Sequence, residues 1–255
     1  MPKFSIISIS KNHCNDLKNT FQSVIDQTFR DFEYIVIDGN SDDGSIDLLN
    51  RWNNHIDKLI IEEDEGIYDA MNKGIKYSSG DYIFFLNIGD HLATRESLAA
   101  ANQKIETHKA EIYFGKIIWV DTINRNVITS KHEHVRNKSQ LLYENFPHPA
   151  TIYTKQAFEK YGLFNTRYPV FADYEWNLRA LLNNNASYYY GDFIMTTFYT
   201  GGVSTNTENL EAKQKEKELL RNYYRNKLYK NLLFGRSIRE KWHRCLKLDK
   251  LNKVQ

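Results

Sequence analysis

Phe32-Glu-Tyr-Ile-Val-Ile-Asp-Gly-Asn-Ser-Asp-Asp-Gly-Ser45 holds a complete strand-to-helix transition. Its first six residues are mostly β-branched or aromatic, the composition of a buried strand. The apolar run stops at Asp38, and Asp38–Ser45 consists of turn formers and helix caps. A helix is expected over Ile46–Asn54. The same grammar repeats on both sides. Upstream, Phe4–Ile9 reads as a strand and Asp16–Gln27 as a helix, with Leu17, Phe21, Val24 and Ile25 on one face. Downstream come a short strand at Leu59–Ile61, a helix over Ile67–Tyr77 stopped by Gly80, and a doubly buried strand at Tyr82–Leu86.

Strand–helix alternation implies right-handed crossovers and a mainly parallel central sheet flanked by helices, an α/β fold. Ligands of such sheets sit beyond the carboxyl ends of the strands. Those ends carry Asp38, then Glu62–Glu65, then Asn87-Ile-Gly-Asp90. Three acidic strand ends therefore meet at one edge. A single Asp after a strand is more often a turn former than a ligand, but a convergent set shifts the balance toward a site.

The second half is less regular. Glu111–Trp119 and Arg125–Ser130 suggest an antiparallel pair around Asp121–Asn124, and Phe146-Pro-His-Pro-Ala150 a kinked loop. A helix is expected from Phe171 to about Asn183, a loop at Gly201–Ser204, and a long charged helix from Glu208 to about Lys230.

Composition narrows the function. The 255 residues carry a net charge of +2, with 17 Tyr and 14 Phe against 4 Pro, which argues against disorder. The charge is uneven: residues 211–255 hold 14 Lys/Arg and 5 Asp/Glu, leaving a net −7 on residues 1–210. An acidic body is repelled by nucleic acid, so a nucleic-acid partner is not expected. No apolar stretch approaches the roughly 20 residues of a membrane helix, and the N-terminus shows no signal-peptide pattern. Cys14 and Cys245 are too few and too far apart for a disulfide framework, which suggests a reducing, cytoplasmic setting. In the tail, aromatic and aliphatic residues interleave with Arg and Lys, a pattern suited to an anionic membrane surface. Packing on the acidic body is the competing reading.

The carboxylates suit a nucleoside diphosphate. Asp90, on a glycine-loosened turn, offers a hard oxygen to Mg²⁺ or Mn²⁺, whose remaining positions phosphates fill. Neither G-x-x-x-x-G-K-[ST] nor G-x-G-x-x-G occurs, so kinase-like and dinucleotide-dependent redox readings lose support. His132-Glu-His134 lacks a nearby third ligand, which makes zinc improbable. Trp176 reads as core, and Lys73 as a solvated lysine or a phosphate contact.

Five segments then resemble family 2 glycosyltransferases of the GT-A nucleotide-sugar-binding fold. They are Asp38–Ser45, Glu63-Asp-Glu-Gly-Ile-Tyr-Asp-Ala-Met-Asn-Lys-Gly74, Phe85-Leu-Asn-Ile-Gly-Asp90, Ala172-Asp-Tyr-Glu175 and Gly201-Gly-Val-Ser-Thr205. Each is weak alone; five in order over about residues 4–205 are strong, and they most resemble the colanic-acid and exopolysaccharide branch. The resemblance implies a GT-A domain over 1–207, with a donor half to about 110 and an acceptor half over 111–207, followed by a basic helical extension at 208–255. It assigns donor binding to Ser8, Asp38, Asp64, Asn72 and Asn87, the divalent metal to Asp90, and the general base to Asp173. His148 and Glu175 become candidates for acceptor or diphosphate contact.

The implied activity is inverting transfer of a hexosyl or N-acetylhexosaminyl group from a nucleotide-sugar, UDP-sugar favoured, to a glycan. That acceptor is expected to be lipid-linked, at the inner face of the plasma membrane. Departures from the family pattern are Asn87 for the first acid of D-x-D, Gly39 for the second acid after β-strand two, and Lys11 where an aromatic is common. A catalytically silent domain of the same fold is the alternative, although retention of both Asp90 and Asp173 favours an enzyme. A nucleotidyltransferase would need a Gly-rich, basic triphosphate loop that is absent.

Overall fold

Strand β1 (Phe4–Ser10) is buried along its whole length, and its side chains serve two cores by simple alternation. Ile7 and Ile9 join one face of the sheet, Phe4 and Ile6 the other. Each such side chain contributes about 1.5–3 kcal/mol of transfer free energy. In the computed structural model, which describes residues 1–121, 126–129, 138–143, 146–200 and 210–227, this strand has a parallel neighbour on each side.

In chain order, β1 is followed by α1 (Cys14–Ile25), β2 (Phe32–Asp38), α2 (Ser45–Arg51), β3 (Lys58–Ile61), α3 (Ile67–Tyr77), β4 (Tyr82–Phe85), β5 (His91–Leu92) and α4 (Ser97–Thr107). Then come β6 (Ile112–Val120), β7 (Val127–Thr129), β8 (Thr151–Thr154), α5 (Lys155–Tyr161), α6 (Ala172–Leu178) and β9 (Tyr188–Tyr199). A last helix, α7, spans residues 210–227.

The described strands form one sheet in the order β3-β2-β1-β4-β8-β6-β9-β5, with β7 on β6. The first four are parallel, as the strand–helix alternation predicts. Beyond β4 the sheet is mixed: β8 runs antiparallel to both β4 and β6, β9 parallel to β6, and β5 antiparallel to β9. The expected hairpin around Asp121–Asn124 is present as β6–β7. Helices α1, α2 and α4 cover one face through Leu17, Phe21, Val24, Leu49, Leu98 and Ile105. Helices α3, α5, α6 and α7 cover the other, with Leu220 and Tyr224 of α7 in the same core as Met71, Phe158 and Trp176. This is the α/β architecture of a central sheet flanked by helices that the strand–helix alternation predicts.

Two expected helices are shorter than their apolar periodicity suggests. The one from Ser45 ends at Arg51 and tightens into a 3₁₀ turn at Asn53–His55. The one from Ala172 loosens after Leu178 into a π-type turn at Arg179–Asn183. The Gly201–Thr205 motif, His132–His134 and residues 228–255, the outer part of the basic tail, lie outside the described residues.

Gly80 sets the entry to β4. Its N–H donates to Ser5 Oγ (2.9 Å) and Glu33 Oε1 (3.2 Å). A Cβ there would meet the Phe4 carbonyl carbon and the Ser5 nitrogen at 2.8 Å, both of them backbone atoms that cannot swing aside. Gly80→Ala is therefore expected to destabilise the protein by about 1–3 kcal/mol, the usual range for overpacking. Urea unfolding checks it; a loss under about 0.5 kcal/mol would contradict the close approach.

Candidate functional site

The first corner is built where β1, β2 and β3 end. Asp38, the last residue of β2, is completely buried and accepts from Ser41 N–H (2.7 Å) and Ser41 Oγ (2.9 Å). This closes the polar turn on itself. The turn is laced to the β1–α1 loop through Asn12 N–H to Ser41 Oγ (2.9 Å), Asp42 N–H to Asn12 Oδ1 (3.0 Å) and Cys14 N–H to Asp43 Oδ2 (2.9 Å). The loop after β3 leans over it. A methyl group on Gly39 would lie 2.2 Å from Asp64 Oδ2 and 3.1 Å from Lys11 Cδ. Asp38-Gly39, Asp64 and Lys11 thus meet at one point, and the glycine in place of a second acid has a steric reason. Asp64 is pinned by Gly66 N–H on Oδ1 (3.0 Å).

The second corner follows β4. Asp90 is 7% exposed and its one described side-chain partner is Tyr199 N–H on Oδ1, at a long 3.4 Å. Burial pushes its carboxyl up to about 7, which the Tyr199 N–H opposes. Asn87 Oδ1, at the start of the same turn, is buried with no hydrogen-bond partner among the described residues. No three metal-capable His, Cys, Asp or Glu side chains cluster among the described residues. A desolvated carboxylate beside an orphaned amide oxygen nevertheless fits a divalent cation that draws its other ligands from phosphates.

The raised Asp90 value has a consequence for stability. A folded-state carboxyl above the unfolded ~3.9 binds its proton more tightly when folded, so its stabilising contribution is complete below about pH 4 and lost as pH rises to about 7. In metal-free protein, Asp90→Asn should gain stability relative to wild type between pH 5 and pH 8, by on the order of 2–3 kcal/mol. Paired urea titrations at the two pH values measure this; an unchanged difference would contradict the buried, unpaired carboxyl.

The third component is Asp173, in the first turn of α6 and 6% exposed. Tyr68 Oη lies 2.9 Å from its Oδ1 and 2.8 Å from Val170 O, so one phenolic proton serves two acceptors. Burial, reinforced by Asp173, holds the Tyr68 phenol well above its usual value, so it stays a donor. Tyr68 belongs to α3, so this bond ties the first half of the chain to α6. Beneath them Phe164 packs on Tyr68 (5.5 Å between centroids) and on Phe85 (5.6 Å). His148 stacks on Phe85 at 5.4 Å. Both His148 nitrogens are buried without a hydrogen-bond partner among the described residues, and burial lowers its pKa, opposed by the Asp173 charge.

The glycosyl transferase family 2 model matches residues 5–166. The chain belongs to this family. It is 30% identical over 211 residues to the PGL/p-HBAD biosynthesis glycosyltransferase of Mycobacterium bovis, covering 81% of this chain and 80% of that one. Among solved structures it resembles S. aureus TarS in complex with UDP-GlcNAc, with a TM-score of 0.69 and 19% identity over 86% of this chain and 65% of that one. It also resembles the mannosyltransferase PcManGT of Pyrobaculum calidifontis in complex with GDP-Man and Mn²⁺, with a TM-score of 0.60 and 15% identity over 85% and 61% of the two chains. The structural likenesses establish the fold, and the chain spans a little under two thirds of those solved chains.

In this family 2 glycosyltransferase three of the expected site residues have their side chains engaged within the fold. Ser8 is completely buried, its Oγ donating to Leu86 O (2.6 Å) and accepting from Tyr34 Oη (3.0 Å). Its side chain ties β1 to β2 and to the segment after β4. Asn72 is committed to the Phe164 peptide in both directions, Nδ2 to the carbonyl (2.9 Å) and Oδ1 from the N–H (3.0 Å). Glu175 is 5% exposed and held by Arg179 and by Tyr224 Oη (2.6 Å). Trp176 is core, with Nε1 donating to Gly162 O (2.7 Å). Lys73 sits between Glu62 (3.3 Å) and Asp69 (3.2 Å) and steadies the acidic loop after β3. The sequence reading missed Tyr68, although it stands inside the Gly66-Ile-Tyr-Asp69 run, because its partner is 105 residues away.

Proposed function

We propose that this family 2 enzyme is an inverting, divalent-metal-dependent glycosyltransferase in bacterial surface-polysaccharide assembly of the exopolysaccharide type. It moves a hexosyl or N-acetylhexosaminyl group from a UDP-sugar to a hydroxyl of a lipid-linked glycan at the inner face of the membrane. The observation that carries this reading is Asp173, a nearly buried carboxylate fixed by Tyr68 of the donor half. The Mycobacterium relative's biosynthetic role and the nucleotide-sugars in the two solved neighbours support the donor class. No described helix is long and apolar enough to cross a membrane.

In this reading the Asp38–Ser41 turn and Asp64 receive the base and ribose, and Lys11 lies at the same corner. Asp90, with Asn87 Oδ1, would hold the cation. That ion, when bound, supplies Lewis-acid stabilisation to the departing diphosphate. Asp173 takes the proton from the acceptor hydroxyl as its oxygen attacks the anomeric carbon. The C–O bond to the diphosphate breaks, its electron pair leaves with the phosphate oxygen, and the single displacement inverts the anomeric centre. Buried Tyr68 keeps the carboxylate oriented.

A thermal-shift screen of UDP, GDP and TDP, with and without Mn²⁺, tests the donor half of the proposal. UDP with Mn²⁺ should stabilise the protein most, approaching about 2.7 kcal/mol at a hundredfold excess over Kd. A screen in which no nucleotide shifts the transition would reject it.

A further inference from the structure

We propose that α7, although outside the five family-like motifs, is part of the catalytic apparatus: its Glu216 and Tyr224 are positioning residues for Asp173. The inference rests on the reading of Asp173 as the base.

Helix α6 cannot hold itself in place. It is 7 residues long, too short to be stable alone, and its N-cap residue Phe171 offers no side-chain cap. The two backbone N–H groups just ahead of it are held from α7 instead. Glu216 Oε1 accepts from Phe171 N–H (2.8 Å) and from Val170 N–H (3.3 Å), and a carboxylate there also suits the helix dipole. Lys217, the next residue, lies 5.6 Å from the centre of the Phe171 ring. The Val170 peptide is thus gripped on both sides, by Glu216 at its N–H and by Tyr68 at its carbonyl. Tyr68 is the residue that touches Asp173.

The second anchor lies on the other side of the base. Tyr224 Oη donates to Glu175 Oε1 at 2.6 Å. Arg179 binds the same carboxylate through Nε and Nη2 and also donates to Leu163 O (2.7 Å) and Tyr161 O. Asp173 therefore sits midway between Phe171 and Glu175, the two points at which α7 holds α6. Along α7, Lys213, Lys217, Leu220 and Tyr224 recur at helical spacing; Leu220 and Tyr224 are 1% and 3% exposed, so the helix is docked as a body and not by one contact. A misplacement of the base by about 1 Å is enough to cost on the order of a hundredfold in rate. Two hydrogen-bonded anchors within two residues of the base give that sensitivity a structural source.

The test uses the full chain and Mn²⁺-dependent hydrolysis of UDP-N-acetylglucosamine, UDP-glucose, UDP-galactose and GDP-mannose, in which water takes the acceptor's place. Glu216→Ala should lower kcat about tenfold or more with donor KM within about twofold of wild type. Glu216→Gln, whose amide oxygen still accepts both N–H groups, should restore most of the rate. Tyr224→Phe keeps the buried ring, removes the bond to Glu175, and should lower kcat a few-fold; it decides the matter if Glu216→Ala does not fold. Glu211→Ala removes a charge from an exposed position of the same helix and should leave kcat unchanged. If Glu216→Ala and Tyr224→Phe both keep kcat within about twofold while Asp173→Asn is inactive, the positioning role is wrong and the base assignment stands. Equal losses in Glu216→Ala and Glu216→Gln would also overturn it. If wild type hydrolyses none of the four donors, the transferase reading itself falls and this inference falls with it.

Discussion

Asp173→Asn is expected to lower turnover by a factor of about 10²–10⁴ while leaving donor affinity nearly unchanged, because a general base acts in the transition state and not in nucleotide binding. The substitution keeps the shape of the side chain and its place 2.9 Å from Tyr68 Oη, and removes the basicity. Asn can still accept the phenolic proton, so the support from α3 survives and the loss reads as chemistry. Steady-state kinetics with donor varied, together with nucleotide binding by calorimetry, separate the two effects. A variant that loses donor binding yet turns over normally at saturation would assign Asp173 to the donor site instead.

Asp90→Ala is expected to abolish metal-dependent transfer and to weaken metal-dependent nucleotide binding sharply. Asp90 is the single acid of the Asn87–Asp90 turn, so no neighbour in that turn can substitute for its charge. The same residue destabilises the metal-free fold at neutral pH, because burial has lifted its carboxyl to about 7. A residue held at a cost to stability is the pattern expected of a functional group, and the two effects have opposite signs. Without metal the variant should be the more stable protein; with Mn²⁺ and UDP the wild type should be. Normal turnover of Asp90→Ala at saturating donor and Mn²⁺ would remove the metal assignment.

Local patterns account for what could be read in advance. The strand–helix alternation through Tyr82 places Asp38, Asp64 and Asp90 after the strand ends, and Gly39 confirms the meeting of two loops by its lack of room for a side chain. The second half of the chain was less legible. β9 reads Tyr-Tyr-Tyr-Gly-Asp-Phe-Ile-Met-Thr-Thr-Phe-Tyr, with no clean alternation, because its register against β6 shifts around Gly115. There the Phe193 ring occupies the space a Gly115 side chain would need, with ring carbons 2.6–3.0 Å from the Cβ position. β8 and α5 were hidden because Thr151–Tyr161 passes from strand to helix without a break, capped only by Thr154 Oγ1 on Ala157 N–H.

Among site residues, short-range signals were visible in the sequence and long-range ones were not. Ser8 and Asn72 occupy positions that resemble donor contacts, but their polar atoms are already satisfied inside the fold. Glu175 stands two residues from Asp173, which on a helix puts it on a different side. That side faces α7, and Tyr224 lies 49 residues downstream. No spacing rule reaches across such a distance; only packing brings the two together.

The most direct measurement of the central claim is proton NMR of the sugar released from a UDP-sugar by the wild-type chain with Mn²⁺. The account predicts that an α-linked donor yields the β-anomer first, with UDP released in equal amount, and that Asp173→Asn suppresses both signals. Initial release of the α-anomer, or turnover that survives Asp173→Asn, would contradict it.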